Sequence, residues 1–279
     1  MRILIVGLGL MGGAYSYRLR EKGHHVYGVD LNKDAVIYAK DNGFIDEGDI
    51  SPDKFIKDSD VIVLALYPTL ILDFLKKYNS LFNDNQVITD ICGVKTSFVN
   101  EAEKVALPAK YCSHHPMAGK EKIGIRYSKE CEFNGANFLV TKTDNTDNGA
   151  IDIIKKLGVD LGFSNITEIS TLKHDKVVGF TSQLTHAIAV SLVNSDRDKD
   201  TKNYIGDSYR DLTRIAKIND SLWSELFMEN KDNLLAHIIE FESELDRIKK
   251  ALNDEDKESL KEIFRSSTKI RSEMDKWEN

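Results

Sequence analysis

Five short apolar runs, at positions 3–6, 26–29, 61–66, 87–91 and 138–140, punctuate the first half of the chain. Several are separated by stretches whose apolar residues recur at three- and four-residue spacing, as on an amphipathic helix. Strand-length runs alternating with helical stretches predict βαβ units and a largely parallel sheet. From about Ser170 the period changes. Val177, Val178, Leu184, Ile188 and Leu192 fit one helical face. Trp223, Phe227, Leu234, Ile238, Phe241, Leu245, Ile248 and Leu252 follow at threes and fours, with one seven-residue gap that passes Asn230. Leu260, Ile263, Phe264, Ile270 and Met274 continue the pattern in a last helix. Turn formers agree: all four prolines (Pro52, Pro68, Pro108, Pro116) lie in the first half, and neither Gly nor Pro follows Gly206. Because Gly and Pro punctuate turns, the tail is expected to be mostly helix.

One turn carries chemistry. Gly7-Leu8-Gly9-Leu10-Met11-Gly12 follows the first strand run and opens a helical pattern, and Asp30 closes the next strand run. In such a unit the first glycine permits the tight turn, the second lets the backbone approach a pyrophosphate, and the third lets helix pack on strand. The helix N-terminus then offers unpaired N–H groups to the phosphates. The acid accepts hydrogen bonds from a ribose 2′-hydroxyl and repels a 2′-phosphate. Asp30 is followed by Leu31 and Asn32, with no arginine for a phosphate, so NAD is expected over NADP, a preference that Lys33 tempers. The fold expected is α/β: a Rossmann-type NAD-binding domain over residues 1–168, then an all-helical domain over 169–279. The long stripe predicts a helix of roughly 30 residues, more than a small domain needs for itself. It is expected to pack on a second copy, giving a homodimer through the C-terminal helices.

Composition narrows the class. The chain has 279 residues, 41% of them hydrophobic, enough for a substantial core. A net charge of −7 with no basic stripe argues against a nucleic-acid partner. Cys92, Cys112 and Cys131 are scattered, without a CxxC, which predicts neither disulfides nor a metal site. No uninterrupted apolar run approaches the ~20 residues of a membrane span. The N-terminal run is followed at once by glycines and no cleavage site, so a cytoplasmic protein is expected.

A nicotinamide cofactor implies hydride transfer. If hydride leaves a carbon bearing a hydroxyl, that proton needs an acceptor, and histidine is suited to the role. Of the seven histidines, His24 and His25 lie in a turn, His237 lies on the long helix, and His174 lies near a helix start as a capping neighbour. His114, His115 and His186 remain. The first two end a strand and Pro116 fixes the backbone after them; strand carboxyl ends are where such sheets bind ligands. Adjacent strand residues face opposite ways, so one histidine should face the crevice and the pair cannot chelate. His186 shares a helix face with Ser182, either as a core or interface group or as part of a pocket. Arg210 and Arg214 alternate with Asp207 and Asp211, which reads as surface salt-bridge lacing or as a guanidinium clamp for a carboxylate.

These segments resemble a known family. His115-Pro116-Met117-Ala118-Gly119-Lys120-Glu121 is similar to the HPMxGxE block of the prephenate and arogenate dehydrogenases. Ser182-Gln183-Leu184-Thr185-His186 resembles that family's SHLPH segment, and Tyr209-Arg210-Asp211-Leu212-Thr213-Arg214-Ile215-Ala216 its FRDxTRIA segment. Trp223 and the Glu-Asn-Lys of residues 229–231 follow in family order. The resemblance implies oxidative decarboxylation of prephenate to 4-hydroxyphenylpyruvate with NAD. His115 would be the catalytic base, Arg214 would bind a substrate carboxylate, and Ser182 and His186 would line the pocket. Lys120, where a threonine is common, would add positive charge near the dicarboxylate. Glu121 and Asp211 would orient His115 and Arg214, and Gly7, Leu8, Gly9, Leu10, Met11, Gly12 and Asp30 would hold the cofactor.

The sequence departs from the pattern at Asp90-Ile91-Cys92-Gly93-Val94-Lys95, where Gly93 replaces a serine that usually assists the catalytic histidine; water or Cys92 is expected to substitute. The chain stops after the helical domain, so tyrosine feedback would have to act at the active site. Alternatives are an arogenate dehydrogenase, favoured by an acid near His186, a β-hydroxyacid dehydrogenase or imine reductase, and a non-catalytic NAD-binding sensor.

Overall fold

The computed structural model describes residues 1–275. Six parallel strands, β1 (Arg2–Val6), β2 (His25–Val29), β3 (Glu47–Asp49), β4 (Val61–Leu64), β5 (Val87–Asp90) and β6 (Lys110–Tyr111), form one sheet in the order β3-β2-β1-β4-β5-β6. The apolar runs predicted at the first four principal positions are β1, β2, β4 and β5. Consecutive apolar residues suit these strands because both faces are covered. Ile3 and Ile5 of β1 join Val61 and Val63 of β4 in one core, with the helices Leu10–Glu21 and Asn148–Leu161. Leu4, Val6, Ile62 and Leu64 face the other way, into a core shared with the helix Pro68–Tyr78. The order reverses between β1 and β4, and the crevice beyond their carboxyl ends is the ligand site of doubly wound sheets.

A second sheet, unforeseen as a unit, holds β7 (Ser113–Pro116), β8 (Asn137–Lys142) and β9 (Asn165–Ser170) in that order, with β7 antiparallel and β9 parallel to β8. It carries His115 opposite Leu139. After it runs a helical path, Thr171–Ser195, with a π-helical stretch at Gly179–Leu184. Among the described residues this is the one run with the length and mean hydropathy (1.2) of a membrane span. It nevertheless buries His174, Asp175 and Gln183.

The roughly 30-residue helix does not form as one piece. It divides into Asp220–Glu229 and Lys231–Asn253 at Asn230, inside the seven-residue gap. The reason is local: the Asn230 side chain is buried and donates to the Asp175 carbonyl and to Gln183 Oε1, both at 2.8 Å. The chain forms two compact units, Met1–Lys231 and the segment from Asp232 onward. In the second, the helices Lys231–Asn253 and Lys257–Asp275 bury Leu234 and Ala251. They leave Leu235, Ile239, Leu252, Phe264 and Ile270 more than half exposed within the single chain.

Candidate active site

The glycine-rich turn is built as its spacing predicts. Gly7 has φ +94°, and a Cβ there would lie 2.4 Å from the Ala65 carbonyl oxygen, while one on Gly12 would lie 1.8 Å from the Gly7 oxygen. Neither position accepts a side chain without moving backbone. Gly9 differs: its Cβ would meet nothing within 4 Å, which leaves open space over the N-terminus of the helix Leu10–Glu21 where a pyrophosphate would lie. One Asp30 oxygen accepts from Leu8 N at 2.7 Å and the other from Asn32 N at 2.8 Å. A cavity of about 340 Å³ adjoins it, with Leu8, Gly9, Asp30, Asn32, Tyr38 and Arg126 in its lining. The turn therefore fits a dinucleotide. Arg126 is a cationic residue at this cavity that the sequence neighbours of Asp30 do not reveal. The fold brings its guanidinium over the Tyr38 ring, 4.7 Å from the centroid. No local spacing could have signalled this.

The two adjacent histidines separate as strand geometry requires. His114 is fully buried, its Nε2 2.9 Å from the Tyr15 hydroxyl and its Nδ1 2.6 Å from Thr89 Oγ1. Burial, reinforced by the Lys95 ammonium, holds its pKa down at about 3, so it is a neutral structural group. His115 faces the other way and is half-buried. Its Nδ1 lies 3.0 Å from Nε2 of His174, whose Nδ1 lies 2.7 Å from Asp175 Oδ1. Asp175 in turn accepts from the backbone N–H groups of Lys95 at 2.9 Å and Thr96 at 2.7 Å. His174 is thus no capping neighbour: it is fully buried and holds His115. Burial first, then the neighbouring His174 ring and the Lys95 ammonium, which both disfavour a second positive charge, push the His115 pKa well below the ordinary 6.5. At neutral pH it is an uncharged base, and its Nε2 has no hydrogen-bond partner among the described residues.

Lys95 anchors this region from below. Fully buried, its ammonium lies 2.7 Å from Asp90 Oδ1 and donates to the His114 carbonyl at 2.7 Å. Asp90 also accepts from the Tyr111 hydroxyl at 2.6 Å. Burial alone would raise the Asp90 pKa; the Lys95 ammonium and these hydrogen bonds reverse that and hold it below the usual value. Beside the pair, Gly93 leaves room. A Cβ there would lie 3.7 Å from His115 Cε1 and 3.5 Å from Leu226, ordinary contact distances. Cys92 does not occupy that space, because its thiol lies 3.4 Å from the Leu66 carbonyl oxygen.

The remaining predicted residues fall into two groups. Arg214 forms an ion pair with Glu121, which lies 93 positions away in sequence. Arg210 instead pairs with Asp207 one turn away. The lacing reading therefore holds for Arg210 and not for Arg214. Glu121 was expected to orient His115, and its partner is Arg214 instead. Asp211 is exposed and forms no ion pair with Arg214 among the described residues. His186 Nδ1 donates to the Ser182 carbonyl at 2.9 Å, and its ring stacks on Trp223 with centroids 3.6 Å apart. Burial lowers its pKa, Glu121 opposes that and Arg214 adds to it, so the three groups share one electrostatic neighbourhood. Gln183 turns away, donating to the Leu226 carbonyl at 3.0 Å. Lys120 is exposed on the loop before Glu121.

Comparison with known proteins is consistent along the chain. The family description "Prephenate dehydrogenase, nucleotide-binding domain" matches residues 15–165, and "Prephenate dehydrogenase, dimerization domain" matches residues 170–266. The prephenate dehydrogenase of Bacillus subtilis is 30% identical over 281 residues, covering 96% of this chain and 75% of that protein. Among solved structures, prephenate dehydrogenase from Aquifex aeolicus in complex with hydroxyphenyl propionate and NAD+ superposes with a TM-score of 0.88 at 32% identity, covering 98% of both chains. Arogenate dehydrogenase from Synechocystis shares the fold, with a TM-score of 0.81 at 24% identity over 98% of this chain and 100% of that one.

Proposed function

This chain belongs to the prephenate dehydrogenase family, and we propose that it converts prephenate to 4-hydroxyphenylpyruvate and CO2 with reduction of NAD. The observation that carries this is the neutral His115, one ring nitrogen held by His174 and the other without a partner. The site fits NAD through the Gly7–Gly12 turn, the open space at Gly9 and the Asp30 carboxylate. Bound there, NAD supplies the hydride acceptor. His115 Nε2 takes the hydroxyl proton of the substrate as the carbon beneath it loses hydride. Loss of CO2 then makes the ring aromatic, and the phenolate oxygen recovers the proton.

Arg214 offers a permanently charged fork to a substrate carboxylate, with donors beyond the one Glu121 engages. His186, Ser182 and Trp223 line the side-chain end of the pocket, and Lys120 adds charge at its mouth. An acid free to hold an ammonium would favour arogenate. The carboxylate nearest His186 in effect is Glu121, and it is paired with Arg214, which supports the keto-acid substrate. The family ranges support a functional division near 168/169, and the exposed apolar positions Leu235, Ile239 and Phe264 support a homodimer. A cytoplasmic location fits a biosynthetic dehydrogenase of this kind.

The test is NADH formation from NAD with prephenate or arogenate, with NADP in parallel. Turnover of prephenate with NAD is expected; bound NAD without turnover of either would favour the sensor reading. Two further results are expected. Arg214→Ala raises KM for prephenate roughly 10- to 100-fold, the range of one charge-assisted hydrogen bond at ~1.5–3 kcal/mol. An unchanged KM would return Arg214 to a surface role. Second, kcat/KM stays flat as pH falls from 8 to the ordinary imidazole value of 6.5 and declines only below it, because the base is charged only below its lowered pKa. An acid limb at or above 6.5 would contradict the neutral, half-buried base.

A further inference from the structure

We propose that His174 and Asp175 form a two-residue relay that fixes the tautomer of His115, making His174 a positioning residue for proton transfer; the kinetic part of this inference rests on the function proposed above. Asp175 is the fixed end. Its two oxygens accept from the backbone N–H groups of Lys95 and Thr96, and its own carbonyl accepts from Asn230. A carboxylate offers only acceptors. His174 Nδ1, 2.7 Å from Asp175 Oδ1, must therefore carry the proton. A neutral imidazole protonated on Nδ1 has its lone pair on Nε2. That nitrogen lies 3.0 Å from His115 Nδ1, so His115 must donate through Nδ1. Its own lone pair is then on Nε2, the nitrogen with no partner. The chain of three groups leaves one self-consistent assignment, and that assignment is the base-competent one.

The assignment needs His174 to stay neutral, since a doubly protonated ring would present an N–H to His115 and invert its tautomer. The surroundings favour this. His174 is fully buried, and burial outweighs the Asp175 hydrogen bond to give it a lowered pKa. The charged and titratable groups that face the His115–His174 pair are Asp175 from the helical run, Lys95 and Asp90 from β5 and the segment after it, and His114 from β7. Lys95 and Asp90 neutralise each other, and His114 is uncharged. Gly93, beside His115 Cε1, carries no hydroxyl of its own, and the His174 contact is the side-chain hydrogen bond that holds the His115 ring among the described residues. His174 and His115 come from separate elements, 59 positions apart, so the contact also sets how β7 sits against the helix Thr171–Val178.

Two measurements test the relay. In the wild-type protein with NAD added at pH 7.5, 15N NMR of labelled histidine side chains is expected to show His115 protonated on Nδ1 and bare on Nε2. A proton on Nε2 overturns the proposal, and this result does not depend on the substrate or on any variant folding. In steady-state kinetics, His174→Leu removes the acceptor and is expected to lower kcat about 10²-fold, within the range of general-base effects, with KM for prephenate and NAD within about threefold. His174→Gln places an amide oxygen near the lost Nε2 and is expected to return kcat to within about tenfold of wild type. Equal kcat for the leucine and glutamine variants overturns the proposal. Wild-type protein that binds NAD and oxidises no prephenate would instead remove the proposed function while the NMR result still decides the tautomer.

Discussion

His115→Asn is expected to lower turnover by roughly 10²–10⁴-fold, the range of a positioned general base. Asparagine keeps a donor that can reach His174 but offers no nitrogen lone pair to the substrate hydroxyl. The Gly7–Gly12 turn and Asp30 lie on β1, β2 and the loops after them, so the affinity for NAD should be preserved. Stopped-flow or steady-state NADH absorbance gives the first quantity, and quenching of protein fluorescence by NAD gives the second. Turnover within a few-fold of wild type would remove His115 from the chemistry. Loss of NAD binding together with turnover would show that the substitution had disrupted the crevice itself.

Lys95→Met is expected to produce the largest loss of stability, about 3–5 kcal/mol, because it leaves the Asp90 carboxylate buried without its counter-charge. The same change removes a donor from the His114 carbonyl. Since each kcal/mol shifts the melting temperature of a chain this size by about 2–4 °C, the melting temperature should fall by roughly 6–20 °C. The pH dependence carries the sign. In the wild-type protein Asp90 has a lowered pKa, so its pairing stabilises above the unfolded carboxylate value and is lost only as pH falls through the lower folded one. In the variant the ammonium is gone and burial, opposed only by hydrogen bonds such as that from Tyr111, is expected to raise the Asp90 pKa. The deficit is therefore complete at neutral pH and shrinks on acidification, as the isolated carboxyl takes up a proton. A second substitution, Asp90→Asn, should restore part of the lost stability at pH 7. A single variant as stable as wild type, or a deficit that grows on acidification, would contradict the buried pair.

The proposed catalytic contacts are long-range. Glu121 reaches Arg214, His115 reaches His174, and Asp175 reaches back to Lys95 and Thr96. Each joins a residue between positions 95 and 121 to one in the helical region after the second sheet. Arrangements of this kind are why the expected orientation of His115 by Glu121 failed: the carboxylate lies only six positions from the histidine, yet the loop between carries it to Arg214. The same holds for Arg126, whose place over Tyr38 beside the Asp30 cavity has no counterpart in local spacing.

Local physical chemistry made several features legible from the sequence alone. Consecutive apolar residues announced strands covered on both faces, and the glycine spacing with Asp30 announced the dinucleotide turn, because backbone approach excludes a Cβ at Gly7 and Gly12 while the space at Gly9 stays open. The period of two along a strand separated His114 from His115. The gap at Asn230 was visible too, although its meaning, a break made by a side chain turned inward to Asp175 and Gln183, was not. What only the tertiary structure decided was partnership. Whether an arginine laces a helix or crosses to a loop, and whether a histidine caps a helix or holds the His115 imidazole, depends on which polar groups meet. Those pairings are enforced by the cost of leaving a buried donor or acceptor unmatched, a condition set by the whole packed core and not by any stretch of chain.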